Sequence, residues 1–429
     1  MTTQITIAVT IFIIVYGVII SEKIHRTTIA LVGSMLLIAL GVISQEKAIQ
    51  HIDFNTIGLL TGMMLIVGIT AQTGLFRYLA IWSAKKVNAN PIKLFFALSI
   101  LTAILSGFLD NVTTVLLTVP VTISITRQLK INPIPYLIAQ IFASNIGGTA
   151  TLIGDPPNIM IGSAVKEFTF LSFINNLTGI SAIILIVTLS IMSILYGSKM
   201  RTTMDMRRKL LELDETNELH NIPLLKSCLA VLALTIFLFT THQYFHLESG
   251  TVALLGASLL LLISTKNSEH SLEHIFGKVE WVSLFFFIGL FILVGGLVET
   301  GVITFLAQKS LEITAGNLTA TSFLILWVSA IASAFIDNIP FVATMIPLIK
   351  DLGNLGLTNL DPLWWSLSLG ACLGGNGTII GASANIIVAG IAAQEGYHIS
   401  FTDYLRIGFP LMLISIILSS IYIYLRYLM

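Results

Sequence analysis

The chain has 429 residues, of which 55% are apolar and 10% charged, where an ordinary soluble domain carries roughly a quarter charged residues. That composition excludes a soluble domain and makes the chain a polytopic membrane protein. Lys and Arg together number 22, as do Asp and Glu, so no charge excess points to nucleic acid, and no basic run with interleaved aromatics appears. Cys228 and Cys372 both fall in apolar segments, which argues against a disulfide framework.

The first stretch, MTTQITIAVTIFIIVYGVII, has no positive residue before its apolar run and no small-residue cleavage site. It therefore reads as the first spanning helix and not a removable signal. Apolar segments of about 17 to 25 residues cross a bilayer as helices. Spans are predicted near 4–20, 28–43 and 54–73. Next come two apolar stretches, 93–109 and 112–127, joined only by Asp110-Asn111, which read as a re-entrant hairpin over 93–127. An interrupted span at 134–165, a span at 173–195 and a basic linker at 197–222 complete the first half. The second half repeats the plan: spans near 223–241, 250–264 and 281–299, a hairpin over 320–349 around Asp337-Asn338, an interrupted span at 363–393 and a last span near 407–426. The fold class is thus all-α, with two repeats of five spans, one of them discontinuous, plus one hairpin each.

The repeat is read from identities at a fixed distance, the strongest architectural signal in a single sequence. SNIGGTATLIGDPPN at 144–158 matches ACLGGNGTIIGASAN at 371–385, with Gly147, Gly154 and Asn158 each 227 residues before Gly374, Gly381 and Asn385. Asp53 and Glu280, Thr73-Gly74 and Thr300-Gly301, the two Asp-Asn dipeptides, and Pro120 and Pro347 keep the same spacing, while TIALVG and TVALLG lie 223 apart. An odd number of crossings per half turns the second copy upside down. The positive-inside rule agrees: with the linker cytoplasmic and the N-terminus outside, 17 of the 22 basic residues fall inside.

Inverted repeats with broken helices are the recurring design of secondary transporters, with the site near the midplane. Broken helix ends offer amides to anions and carbonyls to cations. A carboxylate in apolar sequence is costly unless paired, hydrated or protonated, which singles out Asp110 and Asp337. Each binds sodium through hard oxygen ligands or carries a proton, and the sequence leaves both open. The alternative makes 93–109 and 112–127 full spans, with Asp110-Asn111 a surface turn. Asn111, Asn158, Asn338 and Asn385 offer uncharged donors and acceptors, or else cap broken helix ends. Thr113, Thr149, Thr151, Asn376 and Thr378 add polar ligands, and Gly147, Gly148, Gly374 and Gly375 let the backbone leave helical geometry. Asp155, whose counterpart is Ala382, makes any cation site asymmetric, or else caps the helix after Pro156-Pro157. Asp110, Asn111, Asp155, Asp337 and Asn338 are the sodium candidates.

Other motifs fail. GGTATLIGD lacks the Lys-Ser/Thr of a phosphate loop, and histidines such as His242, His246, His270 and His274 have no metal-ligand spacing.

GGTATLIGDPPN, followed by a small-residue helix, with Asp-Asn tips and an inverted second copy, resembles the ion transporter superfamily. The resemblance is to the branch of arsenite permeases and the pigmentation P protein, related to sodium/proton antiporters and to dicarboxylate and citrate carriers. It implies a homodimeric elevator in a lipid bilayer, the plasma membrane. In that picture residues 1–90 and 223–310 are scaffold, 91–200 and 311–429 the moving transport part, and 201–222 a cytoplasmic linker. Asn111 and Asn338 fall where the dicarboxylate carriers have the Asn of a Ser-Asn-Thr tip. Here the tips read Asp110-Asn111-Val112 and Asp337-Asn338-Ile339, and two added carboxylates repel a di-anion unless neutralised. The expectation is therefore a secondary active transporter, not an enzyme, for a small inorganic ion or anion such as arsenite. Sodium or a proton is the coupling ion, and no other cofactor is expected. A sodium/proton antiporter, a citrate or dicarboxylate carrier, and an ion channel are the alternatives. An arsenite permease further implies association with a transport ATPase.

Overall fold

The computed structural model describes residues 2–21, 23–267 and 272–429, so His270 lies outside it. All regular structure among these residues is helical. The first half comprises α1 Thr2–Ser21, α2 Arg26–Ala39, α3 Gln45–Gln50, α4 Phe54–Ala71, α5 Leu75–Lys86, α6 Pro91–Phe108, α7 Asn111–Gln128, α8 Ile134–Thr149, α9 Pro156–Ala164, α10 Phe170–Phe173 and α11 Gly179–Tyr196. After α12 Met204–Leu211, the second comprises α13 Ile222–Thr241, α14 Ser249–Asn267, α15 Leu272–Phe276, α16 Trp281–Glu299, α17 Val302–Thr314, α18 Leu318–Phe335, α19 Asn338–Asn354, α20 Asp361–Gly374, α21 Ser383–Gln394 and α22 Phe401–Ile423. Eight of the described helical segments are long and apolar enough to cross a bilayer.

The sequence reading assigned no element to α5 and α17, which have 12 and 13 residues. Both are too short to span and are interrupted by charges such as Arg77, Lys85 and Lys309. Each is launched by a glycine in the left-handed region, Gly74 at φ 77° and Gly301 at φ 79°. Only glycine adopts that conformation without a steric cost.

Small residues set how closely the helices pack, because lipid supplies no hydrophobic drive and van der Waals contact must take its place. α4 crosses α14 where a Cβ on Gly62 would lie 2.5 Å from the Ala253 carbonyl carbon. α16 crosses α2 where a Cβ on Gly289 would lie 2.9 Å from the Ala30 carbonyl carbon. Gly62 and Gly289 are 227 residues apart, and Ala30 and Ala253 are 223 apart. The two sequence offsets thus meet in one contact made twice.

Hairpins α6–α7 and α18–α19 are defined by side-chain caps. Asn90 accepts from the Lys93 amide at 3.2 Å and Asn317 from that of Ala320 at 3.0 Å at the entry of each hairpin. At the tips, Asp110 accepts from the Thr113 amide at 2.8 Å and Asp337 from that of Ile339 at 3.1 Å. Each such cap contributes about 1 kcal/mol. The linker is docked rather than free in solvent: Arg207 donates to the Asn88 carbonyl at 2.9 and 2.8 Å, and Lys85 pairs with Glu215 and donates to the Leu213 carbonyl at 2.8 Å.

Candidate ion-binding site

Between α8 and α9 the chain leaves the helix at 150–155, and between α20 and α21 at 375–382. The freed carbonyls need donors, since a buried unpaired backbone group is costly. Asn158 Nδ2 donates to the carbonyls of Thr149 at 3.0 Å and Thr151 at 2.8 Å, and Asn385 Nδ2 to those of Gly375 at 2.8 Å and Thr378 at 2.9 Å. The Thr151 and Thr378 hydroxyls donate to the carbonyls of Gly107 and Ala334, tying each break to the end of a hairpin helix. Thr149 Oγ1 donates back to the Asn145 carbonyl at 2.7 Å.

The glycines act differently from the sequence reading. Gly147, Gly148, Gly154, Gly374, Gly375 and Gly381 all have negative φ, so none uses the freedom special to glycine. What they supply is space. A Cβ would lie 2.2 Å from the Ala103 carbonyl oxygen at Gly147, and 2.5 Å from that of Ala330 at Gly374. At Gly148 and Gly381 it would lie 2.5 and 2.6 Å from the carbonyl oxygens of Gly154 and Gly375.

The two tips and the two breaks meet at two side chains. One is Asn145, which the sequence reading passed over. It is fully buried; its Nδ2 donates to Asn376 Oδ1 at 3.0 Å and Asn385 Oδ1 at 2.9 Å, while its Oδ1 accepts from Asn111 Nδ2 at 3.2 Å. The other is Asp155, whose Oδ1 faces Asn111 Nδ2 at 3.3 Å and Asn338 Nδ2 at 3.4 Å. Asn158 Oδ1 in turn accepts from Ser368 Oγ at 2.6 Å and the Cys372 thiol at 3.7 Å. Cys372 lies 227 residues after Asn145, as Asn385 does after Asn158. The pairs Asn145–Asn385 and Cys372–Asn158 are therefore one contact made in both directions, the signature of a two-fold arrangement. A search for identities between the copies misses Asn145 and Ser368, because their counterparts, Cys372 and Ile141, are different residues.

Asp155 precedes α9 but makes no cap bond, so the capping expectation does not hold. The side chain is 0% exposed, and its Oδ2 has no hydrogen-bond partner. Leaving a buried polar atom unsatisfied costs about 1–3 kcal/mol, and more for a charge; a proton or a cation removes that cost. Asp155 lines a small cavity of about 30 Å³ together with Asp110, Asn111, Asn338, Glu280 and Arg26, room for about one water. The described His, Cys, Asp and Glu side chains nowhere cluster in threes to hold a metal, so any cation here relies on amide and carbonyl oxygens too.

The tips are buried but not alike. Asn111 and Asn338 are each 4% exposed, while α6 and α18 are each long and apolar enough to cross a bilayer. Asp110 is spent on the Thr113 amide and hydroxyl, and no ion pair reaches it among the described residues. Asp337 forms an ion pair with Arg26 of α2 and accepts from Ser383 Oγ at 2.8 Å. Arg26 also donates to Ser383 at 2.8 Å and lies 5.0 Å above the Phe286 ring. Arg26 and Ser383 line both this small cavity and a vestibule of about 320 Å³. A second vestibule of about 560 Å³ lies further along α9, α16 and α19, bounded by Asp53, Ser163 and Lys350.

Known proteins agree with this architecture. The family model described as citrate transporter, CitMHS, matches residues 16–370. An uncharacterized transporter of Mycobacterium tuberculosis is 44% identical over 427 residues, covering 98% of both chains. The P protein of Homo sapiens is 35% identical over 504 residues, covering 98% of this chain and 60% of that protein. The YdaH transporter of Alcanivorax borkumensis, whose crystal structure has an unusual topology, superposes with a TM-score of 0.56 at 12% identity, over 88% of this chain and 86% of that one; at that identity the likeness shows the fold. By the family match and these relatives, the chain is a multi-pass membrane transporter that belongs to the citrate transporter family, CitMHS, of the ion transporter superfamily.

Proposed function

We propose that this chain is a secondary active, ion-coupled transporter that moves a small ionic solute across the plasma membrane by alternating access between its two vestibules. The observation that carries this reading is Asp155: a buried carboxylate with one free oxygen, facing a small cavity and held by the tip amides of both hairpins. Sodium or a proton at that oxygen couples to solute movement, because it relieves the desolvation cost of a buried, unpaired carboxylate oxygen. In this reading the halves are inverted in the bilayer, the N-terminus is outside and the linker is cytoplasmic. Residues 1–90 and 223–310 form the scaffold of a homodimer, and 91–200 and 311–429 move as an elevator.

A small inorganic ion or anion such as arsenite is the first reading. A citrate carrier is the second reading, favoured by the family model's description and by Arg26, which neutralises one of the tip carboxylates. The test is uptake into proteoliposomes of arsenite, citrate, phosphate, chloride and sodium, with sodium and pH gradients imposed independently. Uptake of one solute should follow one imposed ion gradient. Flux that runs down its own gradient whatever the ion gradients are makes the chain a channel and ends the proposal.

A further inference from the structure

We infer that Arg26 is the solute-binding cation of this transporter: an anionic group of the solute displaces Asp337 from the guanidinium, and the negative charge so freed strengthens the hold of the site around Asp155 on the coupling ion. The inference rests on the transporter reading above and adds to it the charge of the solute and the residue that meets it.

Four observations converge on Arg26. First, with Ser383 it lines both the vestibule and the small cavity, so whatever enters from that side meets this side chain. Second, its guanidinium is already engaged in anion recognition, holding the Asp337 carboxylate with Ser383 bridging both. A guanidinium that holds one carboxylate through a charge-assisted hydrogen bond can hold another carboxylate or an oxyanion in the same way. Third, its stacking on Phe286 keeps the side chain in place when the partner leaves. Fourth, the arrangement exists once. Position 249, the repeat counterpart of Arg26, is Ser249, which bonds to Asn55, and Asp110, the counterpart of Asp337, has no cationic partner among the described residues.

Charge balance then gives the coupling. Arg26 and Asp337 together are neutral, and Asp337 is only 8% exposed. If an anion takes the guanidinium, the carboxylate is left buried and uncompensated, beside Asp110, Asp155 and Glu280 of the small cavity that Arg26 also lines, an unfavourable state. A sodium ion or a proton arriving with the anion restores neutrality, so anion and cation bind together more readily than either binds alone. No covalent chemistry is involved; one ion pair is exchanged for two.

The experiment is ligand-dependent thermal stabilisation of the purified full-length chain, with citrate, phosphate and sulfate titrated separately in sodium and in choline buffer at two pH values. For wild type, one of these anions should stabilise the protein, more strongly when sodium or protons are supplied. Asp337→Asn should tighten that anion's binding at least 10-fold and weaken its dependence on the cation, because the internal competitor and its freed charge are gone. Arg26→Gln should weaken binding at least 10-fold. The double variant, Arg26→Gln with Asp337→Asn, leaves no unpaired charge and controls for folding: it should melt close to wild type and bind no anion. Anion binding by Arg26→Gln equal to wild type, no tightening in Asp337→Asn, or no anion bound by wild type each overturns the inference. These outcomes read binding alone, so they are separate from gradient-driven uptake, whose absence would strike the transporter reading itself.

Discussion

The two helix breaks use the same hydrogen bonds to hold different chemistry. In both, an asparagine amide collects two stranded carbonyls, a threonine hydroxyl reaches the hairpin, and glycines let backbones touch. Yet the first break presents Asn145 and Asp155 where the second presents Cys372 and Ala382. What is repeated builds the fold, and what is not repeated builds the site.

The largest effect should come from the repeated features. Gly147→Val and Gly374→Val drive a side chain into the carbonyls of Ala103 and Ala330, where relief requires backbone movement. Overpacking of this kind costs about 1–3 kcal/mol and occasionally more, and both variants should fail to give a monodisperse peak in gel filtration. Normal elution of either would mean that the close approach is not what those glycines provide.

A smaller and unequal effect separates the unrepeated pair. Asn145→Ala strands acceptors and donors on Asn111, Asn376 and Asn385, at about 1–3 kcal/mol, since Asn111 and Asn385 keep other partners. Cys372→Ala removes a long, weak thiol contact to Asn158, so its melting temperature should stay near that of wild type. Equal melting temperatures for the two variants would erase the distinction between the breaks.

The smallest effect lies at the linker. The Lys85 ammonium holds the Glu215 carboxyl below the usual carboxylate range. A carboxyl depressed on folding contributes stability above its unfolded value, lost as pH falls through its folded value. Glu215→Gln should thus make linker proteolysis less dependent on pH on the acid side, with little change near neutrality. A wild-type pH profile in the variant would show that this pair does not hold the linker.

How much could be read from the chain alone follows the same division. Long apolar runs and identities at a fixed spacing show through directly, which is why the all-helical membrane fold was legible. α5 and α17 were not, because they are too short to read as spans and carry charges that look like loop. Glycine was visible, but a sequence does not say whether a glycine serves a positive φ or a close contact; Gly74 and Gly301 do the first, Gly147 and Gly374 the second. Asn145 and Arg26 stayed hidden for a different reason. Comparing the halves selects what they share, and Arg26 reads only as a basic residue flanking the first span until the fold brings it to Asp337, 311 residues away.

Asp155 is where the shared frame and the unshared chemistry meet, and one substitution tests it. Asp155→Asn keeps the shape of the side chain and its contacts with Asn111 and Asn338 while removing the charge that a coupling ion would meet. The measurement is the rate of solute uptake into proteoliposomes as a function of the imposed sodium or proton gradient, for wild type and variant at equal reconstituted protein. Wild-type uptake should rise with the gradient, and the variant's should be flat, with a normal gel-filtration profile showing that it is folded. Uptake by Asp155→Asn that rises with the gradient as steeply as wild type would contradict the assignment of ion coupling to this carboxylate.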